Sequence, residues 1–122
     1  MINITIPNSV TEIGNDVFYG CSSLESITLP FVGDKRHGAT DINQYPFGYI
    51  FGSEIYSSAI ETYQYYTGLR GGTGGTYYIP KSLKTVTITN GVGVSAYAFA
   101  NYNWIITINL NSSMTTTVKV NS

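Results

Sequence analysis

One short phrase returns along this chain at a near-fixed interval, and that return constrains the fold more than any other feature. Leu24-Glu25-Ser26-Ile27-Thr28-Leu29-Pro30 reads apolar-x-x-apolar-x-apolar and then proline. Met1, Ile4 and Ile6 before Pro7 repeat it, as do Leu83, Val86 and Ile88, and Ile105, Ile108 and Leu110 before Asn111. The starts lie 23, 59 and 22 residues apart. Two intervals hold one repeat each, and the long one holds a repeat plus about 36 residues, the pattern of a solenoid.

Alternation as in Ile27-Thr28-Leu29 is the period of a short strand with one buried face. One such strand cannot bury enough surface alone, but stacked copies make a parallel sheet over a continuous core. Ile4, Ile6, Ile27, Leu29, Val86, Ile88, Ile108 and Leu110 are therefore expected to face that core. Pro7 and Pro30 end their strands, because proline donates no ladder hydrogen bond. Between strands, Val10 and Ile13 are expected to point inward, and Asn15 or Asp16 to cap a short helical turn carrying Phe18. Val92, Val94, Ala98 and Phe99 echo this segment if Glu12 has no counterpart there. The echo aligns Phe18 with Phe99, Cys21 with Tyr102 and Leu24 with Ile105.

The run ITIPNSVTEIGNDVFYGCSSLESITLP resembles the BspA-like leucine-rich repeats of bacterial, and some protist, surface proteins. Residues 1–30 follow that unit almost position by position, with Val17 where alanine is usual. Residues 83–111 follow it more loosely, with Tyr102 in the place of cysteine and Ser95 in the place of glycine. The resemblance implies a leucine-rich-repeat solenoid, with a short parallel sheet on one face and irregular or short helical turns on the other. It also implies extracellular display, adhesion and binding to a host or matrix protein or glycan, without catalysis or cofactor.

The chain has 122 residues, enough for one domain. Charged residues are 11% against a usual ~25%, and the net charge is −1. Nothing in that balance attracts nucleic acid or an anionic membrane. A single cysteine rules out an internal disulfide framework, and Cys21 is expected in the core. No apolar run nears the ~18 residues of a membrane span. The first residues read as strand and not as a signal peptide, so secretion would need a leader outside this chain.

From Phe31 to Ser82 the period breaks, and we expect one enlarged repeat there, giving a single domain over 1–122 with regular repeats at about 1–30 and 83–122. Asp34-Lys35-Arg36-His37-Gly38 reads as a polar loop; its lone histidine, near Asp34 and Asp41, falls short of a metal ligand set. Ile50-Phe51-Gly52 is expected to take the inward role of Ile13 and Phe18. Ser53 to Tyr66 has roughly helical apolar spacing, while its tyrosines argue equally for a hairpin. The glycine run Gly68 to Gly75 reads as a turn, because a phosphate loop would need Gly-Lys-Ser/Thr. Val118-Lys119-Val120 alternates like one further strand.

No Ser-His-Asp or Cys-His constellation can be assembled. Glu54 and Glu61 could pair as a glycosidase requires, which keeps a carbohydrate-active module as a minor alternative. Two features are candidates for binding. Eight of the eleven tyrosines lie between Tyr45 and Tyr78, and Tyr56, Tyr63, Tyr65 and Tyr66 are candidate contact residues, tyrosine joining a large apolar face to a polar tip. The ordinary alternative is that these rings pack a small core of their own. The second candidate is the outward sheet face, with Thr5, Thr28, Thr87 and Asn109 as contact residues beside Ser26, Thr85 and Thr107. Threonine's preference for solvated strands explains that face equally, and a flat threonine array also admits ice binding.

The reading is a non-catalytic binding or adhesion module at a cell surface, with a purely structural spacer of a longer protein as the alternative. The chain opens directly in a strand phrase, so self-association through the N-terminal edge is a further expectation.

Overall fold

The computed structural model describes residues 2–36, 44–66, 74–90 and 97–110. Four strands carry the repeated phrase: β1 (Ile2–Thr5), β2 (Leu24–Leu29), β5 (Thr85–Ile88) and β6 (Thr107–Leu110). They form one sheet in the order β1-β2-β5-β6, parallel throughout. The register joins like positions: Ile4 faces Ile27, Ile27 faces Val86 and Val86 faces Ile108. Strand neighbours thus fall where the repeat spacing puts them, including the long step from β2 to β5.

The inward rows are sealed in the middle and looser at both sides. Leu24, Ile27, Leu29, Leu83, Val86 and Ile88 are fully buried, whereas Ile4, Ile6 and Ile108 are half-buried against the same core. Leu110 departs from the expected pattern: it is 37% exposed, because β6 has a partner strand on one side only among the described residues.

Behind the sheet, three connecting segments lie in layers of their own. The Phe18 amide donates to the Ile50 carbonyl (2.8 Å), and the Phe47 amide donates to the Ala98 carbonyl (2.9 Å). The middle segment is a 3-10 turn, Phe47–Ile50, the one helical element among the described residues. Phe47 stacks on Phe99 (5.0 Å between centroids) and on Tyr102 (5.5 Å). Ile50 and Phe51 are buried, as expected, and Phe18 reaches Phe51 at 6.2 Å.

Two expectations for the first turn fail. Residues 15–20 form turns without a helix, and Asp16 adopts φ 66°, the left-handed region, where it caps nothing. Its carboxylate packs against the α-carbon of Gly52, occupying the space a side chain there would fill. Cys21 packs against the core but is half-buried and not sealed in it, because it follows the Gly20 turn and borders an open groove with Ile2, Ile4 and Leu24.

The helical alternative for Ser53 to Tyr66 also fails. Ala59–Tyr65 is β3, and it pairs antiparallel with β4 (Gly74–Pro80). Ile55, a residue of that apparent helical stripe, is 75% exposed. Gly74 and Gly75, read as turn, belong to β4. The hairpin is tied to the layers below by Gln64, fully buried, whose Oε1 accepts from the Gly48 amide (2.7 Å) and whose Nε2 donates to the Ala100 carbonyl (3.0 Å). His37, Asp41, Val92, Val94 and Val118 to Val120 lie outside the described residues.

Candidate functional site

The parallel register gathers one predicted set of residues. Thr5 faces Thr28, Thr28 faces Thr87 and Thr87 faces Asn109, so the four make one row across the sheet. Asn3, Ser26, Thr85 and Thr107 make a second row. Neighbours within a row are about 4.8 Å apart and the rows about 6.8 Å apart, by strand geometry. Alternation directs both rows away from the isoleucine rows, and all eight positions are half-buried or exposed. Side chains bond along the rows: Ser26 Oγ donates to Asn3 Oδ1, and Asn109 Nδ2 donates to Thr87 Oγ1 (3.3 Å). None of the eight carries a charge, so the face offers hydroxyl and amide groups alone. Thr89 continues beyond β5, donating to Asn8 Oδ1, and with Thr87, Ile88, Asn109 and Leu110 it lines a shallow groove.

The four predicted tyrosines do not form one surface. Tyr63 and Tyr65 share the outward face of β3, edge to face at 5.2 Å. Tyr66 turns to another cluster, 4.7 Å from Tyr45, which itself stacks on Tyr49 at 4.1 Å. Tyr56 packs against Tyr19 at 5.1 Å, and its hydroxyl is buried without a hydrogen-bond partner. Burial pushes that phenol up to about 12, with smaller contributions from Cys21 and Tyr19. A phenol so enclosed is a packing group and offers little to a ligand.

Two residues on the outward hairpin face, Glu61 and Tyr78, and one beside it, Tyr97, were not among the predicted contacts. Glu61 precedes Tyr63 by two positions and pairs with Tyr78, whose hydroxyl donates to Glu61 Oε2 at 3.1 Å. That bond is the main reason the Tyr78 phenol is raised. Tyr97 adds a third ring, 5.7 Å from Tyr65. The alternation Glu61-x-Tyr63-x-Tyr65 was readable once the segment is taken as a strand; Tyr97, on a different connecting segment, carries no such signal.

Glu61 sits on β3, where it accepts from the Tyr78 hydroxyl, and Glu54 lies in the segment that precedes that strand. Among the described residues no group of three or more His, Cys, Asp and Glu is placed to hold a metal, and no helix is long and apolar enough to cross a membrane.

A parallel sheet built from repeated apolar-x-apolar strands, with stacked connecting segments behind it, defines a leucine-rich-repeat protein. The family model described as "BspA type Leucine rich repeat region (6 copies)" matches residues 1–119, and the chain belongs to this family. No curated protein and no solved structure matches the chain.

Proposed function

We propose that the chain is one solenoid domain with residues 31–82 as an enlarged repeat, and that it serves as a non-catalytic binding module displayed at a cell surface. The observation that carries the binding role is the doubled row of uncharged hydroxyl and amide side chains across β1, β2, β5 and β6. Such a face presents donors and acceptors at fixed spacing while the isoleucine rows beneath hold it in place. The layering of residues 18, 47–50 and 98 supports the enlarged-repeat reading, since each step of the sheet has its own connecting segment behind it. Family membership supports surface display and a role without chemistry.

The test is a double substitution, Thr28→Lys with Thr87→Lys, measured against an array of immobilised extracellular-matrix proteins. Outward strand positions tolerate such changes, so stability should shift by less than about 1 kcal/mol. Binding by the wild type that falls at least tenfold in the double variant supports the sheet face. Unchanged affinity removes it.

A further inference from the structure

The outward face of the β3–β4 hairpin is a separate surface with its own chemistry. We infer that Tyr63, Tyr65, Glu61 and Tyr78 form a subsite for a neutral polysaccharide. The inference rests on the reading of the chain as a binding module and adds a second site and a ligand class.

The register sets these residues side by side: Glu61 faces Tyr78, Tyr63 faces Thr76 and Tyr65 faces Gly74. A β-carbon on Gly74 would lie 3.0 Å from Cε2 and Cζ of Tyr63, so the Tyr63 ring lies over that glycine. One face of the ring is therefore supported by backbone, while the residue remains 43% exposed. Tyr65 stands at 80° to it and Tyr97 at 70° to Tyr65, which braces the rings against rotation. The Asn101 side-chain amide donates to the Tyr63 carbonyl at 2.7 Å, fixing the strand beneath. The platform is thus rigid before any ligand arrives, which limits the ordering cost of binding.

The chemistry of the face selects among ligands. A pyranose has a C–H face that packs on the negative face of an aromatic ring, and hydroxyls at its rim that need acceptors. Glu61 supplies two carboxylate oxygens, one already held by the Tyr78 hydroxyl, so its direction is set. The hairpin strands contain no lysine, arginine or histidine. With one carboxylate and no base among its described strand residues, the face offers nothing there to pair with phosphate or sulfate.

The experiment is native affinity electrophoresis of the full chain through gels containing hydroxyethylcellulose, mannan or alginate. The wild type should be retarded by a neutral polymer and not by alginate. Tyr63→Ala should weaken that binding about tenfold, the worth of one stacked ring, while Tyr63→Phe, which keeps the ring, retains it. Thr28→Lys with Thr87→Lys should leave it intact, which separates this site from the sheet face. No retardation by either neutral polymer overturns the inference, as does full retention in a folded Tyr63→Ala protein. So does loss in the threonine double variant but not in Tyr63→Ala, an outcome that leaves the sheet-face reading standing. A matrix protein whose binding Tyr63→Ala abolishes, with no polymer retarding the wild type, reassigns the hairpin to a protein partner.

Discussion

The hydroxyl of Tyr102 donates a 2.8 Å hydrogen bond to the main-chain carbonyl of Leu83, and both residues are sealed from solvent. The bond ties the connecting segment before β6 to the entry of β5. It explains why tyrosine stands where the repeat usually has cysteine: the longer side chain fills the layer beside Phe47 and satisfies a carbonyl. Tyr102→Phe keeps the ring but orphans that carbonyl, at a cost of about 1–3 kcal/mol. Urea denaturation should show the midpoint falling with the slope unchanged. A shift below ~0.5 kcal/mol would show that water replaces the phenol.

Gln64 should be still less replaceable. Its amide satisfies the Gly48 amide and the Ala100 carbonyl together, in a site closed to water. Gln64→Leu leaves both without partners, and about 2–5 kcal/mol should be lost. Chemical denaturation of this variant and of Gln64→Glu makes the comparison. Glu keeps the acceptor for Gly48 but not the donor for Ala100, so its stability should recover as the carboxyl is protonated on acidification. A Leu variant as stable as wild type would mean that the hairpin docks without this bridge.

Along one row, the same kind of substitution should have opposite weight. Leu29 is fully buried in the centre of the sheet, and Leu110 is 37% exposed at its side. Leu29→Ala should cost about 2–5 kcal/mol as a cavity-forming change, and Leu110→Ala about 1 kcal/mol or less. Equal losses in thermal or urea melts would contradict this gradient of burial.

Alkaline pH should loosen the fold through its buried phenols. Burial pushes Tyr56 up to about 12 and moves Tyr102 in the same direction, against about 10 for a tyrosine in the unfolded chain. The raised folded values mean that these phenols' contribution is intact below pH ~10 and is lost as pH rises through the folded pKa values. Tyrosinate absorbance at alkaline pH should therefore show a late component that rises together with unfolding. Tyr56→Phe removes one such group along with an unpartnered hydroxyl. It should match or exceed wild-type stability at pH 7 and unfold at higher pH; a clear loss at pH 7 would show that the hydroxyl has a partner in solution.

What the sequence discloses follows from how local the cause is. The row Thr5–Thr28–Thr87–Asn109 was legible because strand alternation and the return of the phrase at Leu83 fix both face and register. Cys21 and Leu110 were misplaced because the repeat assigns a residue its direction and not the coverage it receives from neighbours. The hairpin was ambiguous for a different reason. β3 turns Thr62 and Gln64 inward and Tyr63 and Tyr65 outward, the reverse of the usual polarity, so hydrophobic alternation gives no strand signal. Only the pairing with Gly48 and Ala100, far apart in sequence, makes a buried glutamine tolerable there. The hairpin rings likewise draw on Tyr97 from a segment that the strand pattern does not connect to them.

The step from β2 to β5 also governs the order in which the molecule assembles. Leu29 and Thr89, bonded across that step, are sixty positions apart in the chain, whereas β3 and β4 pair within a single short excursion. Hairpins form in about 1–10 μs, while distant parallel strands must first pay the entropy of closing the chain between them. The excursion thus has reason to condense first, shortening the free chain and bringing the two halves of the sheet within reach. On that route the tyrosine hairpin is expected to work as a folding clasp, and a variant that loosens it should slow refolding of the central parallel pair in stopped-flow measurements.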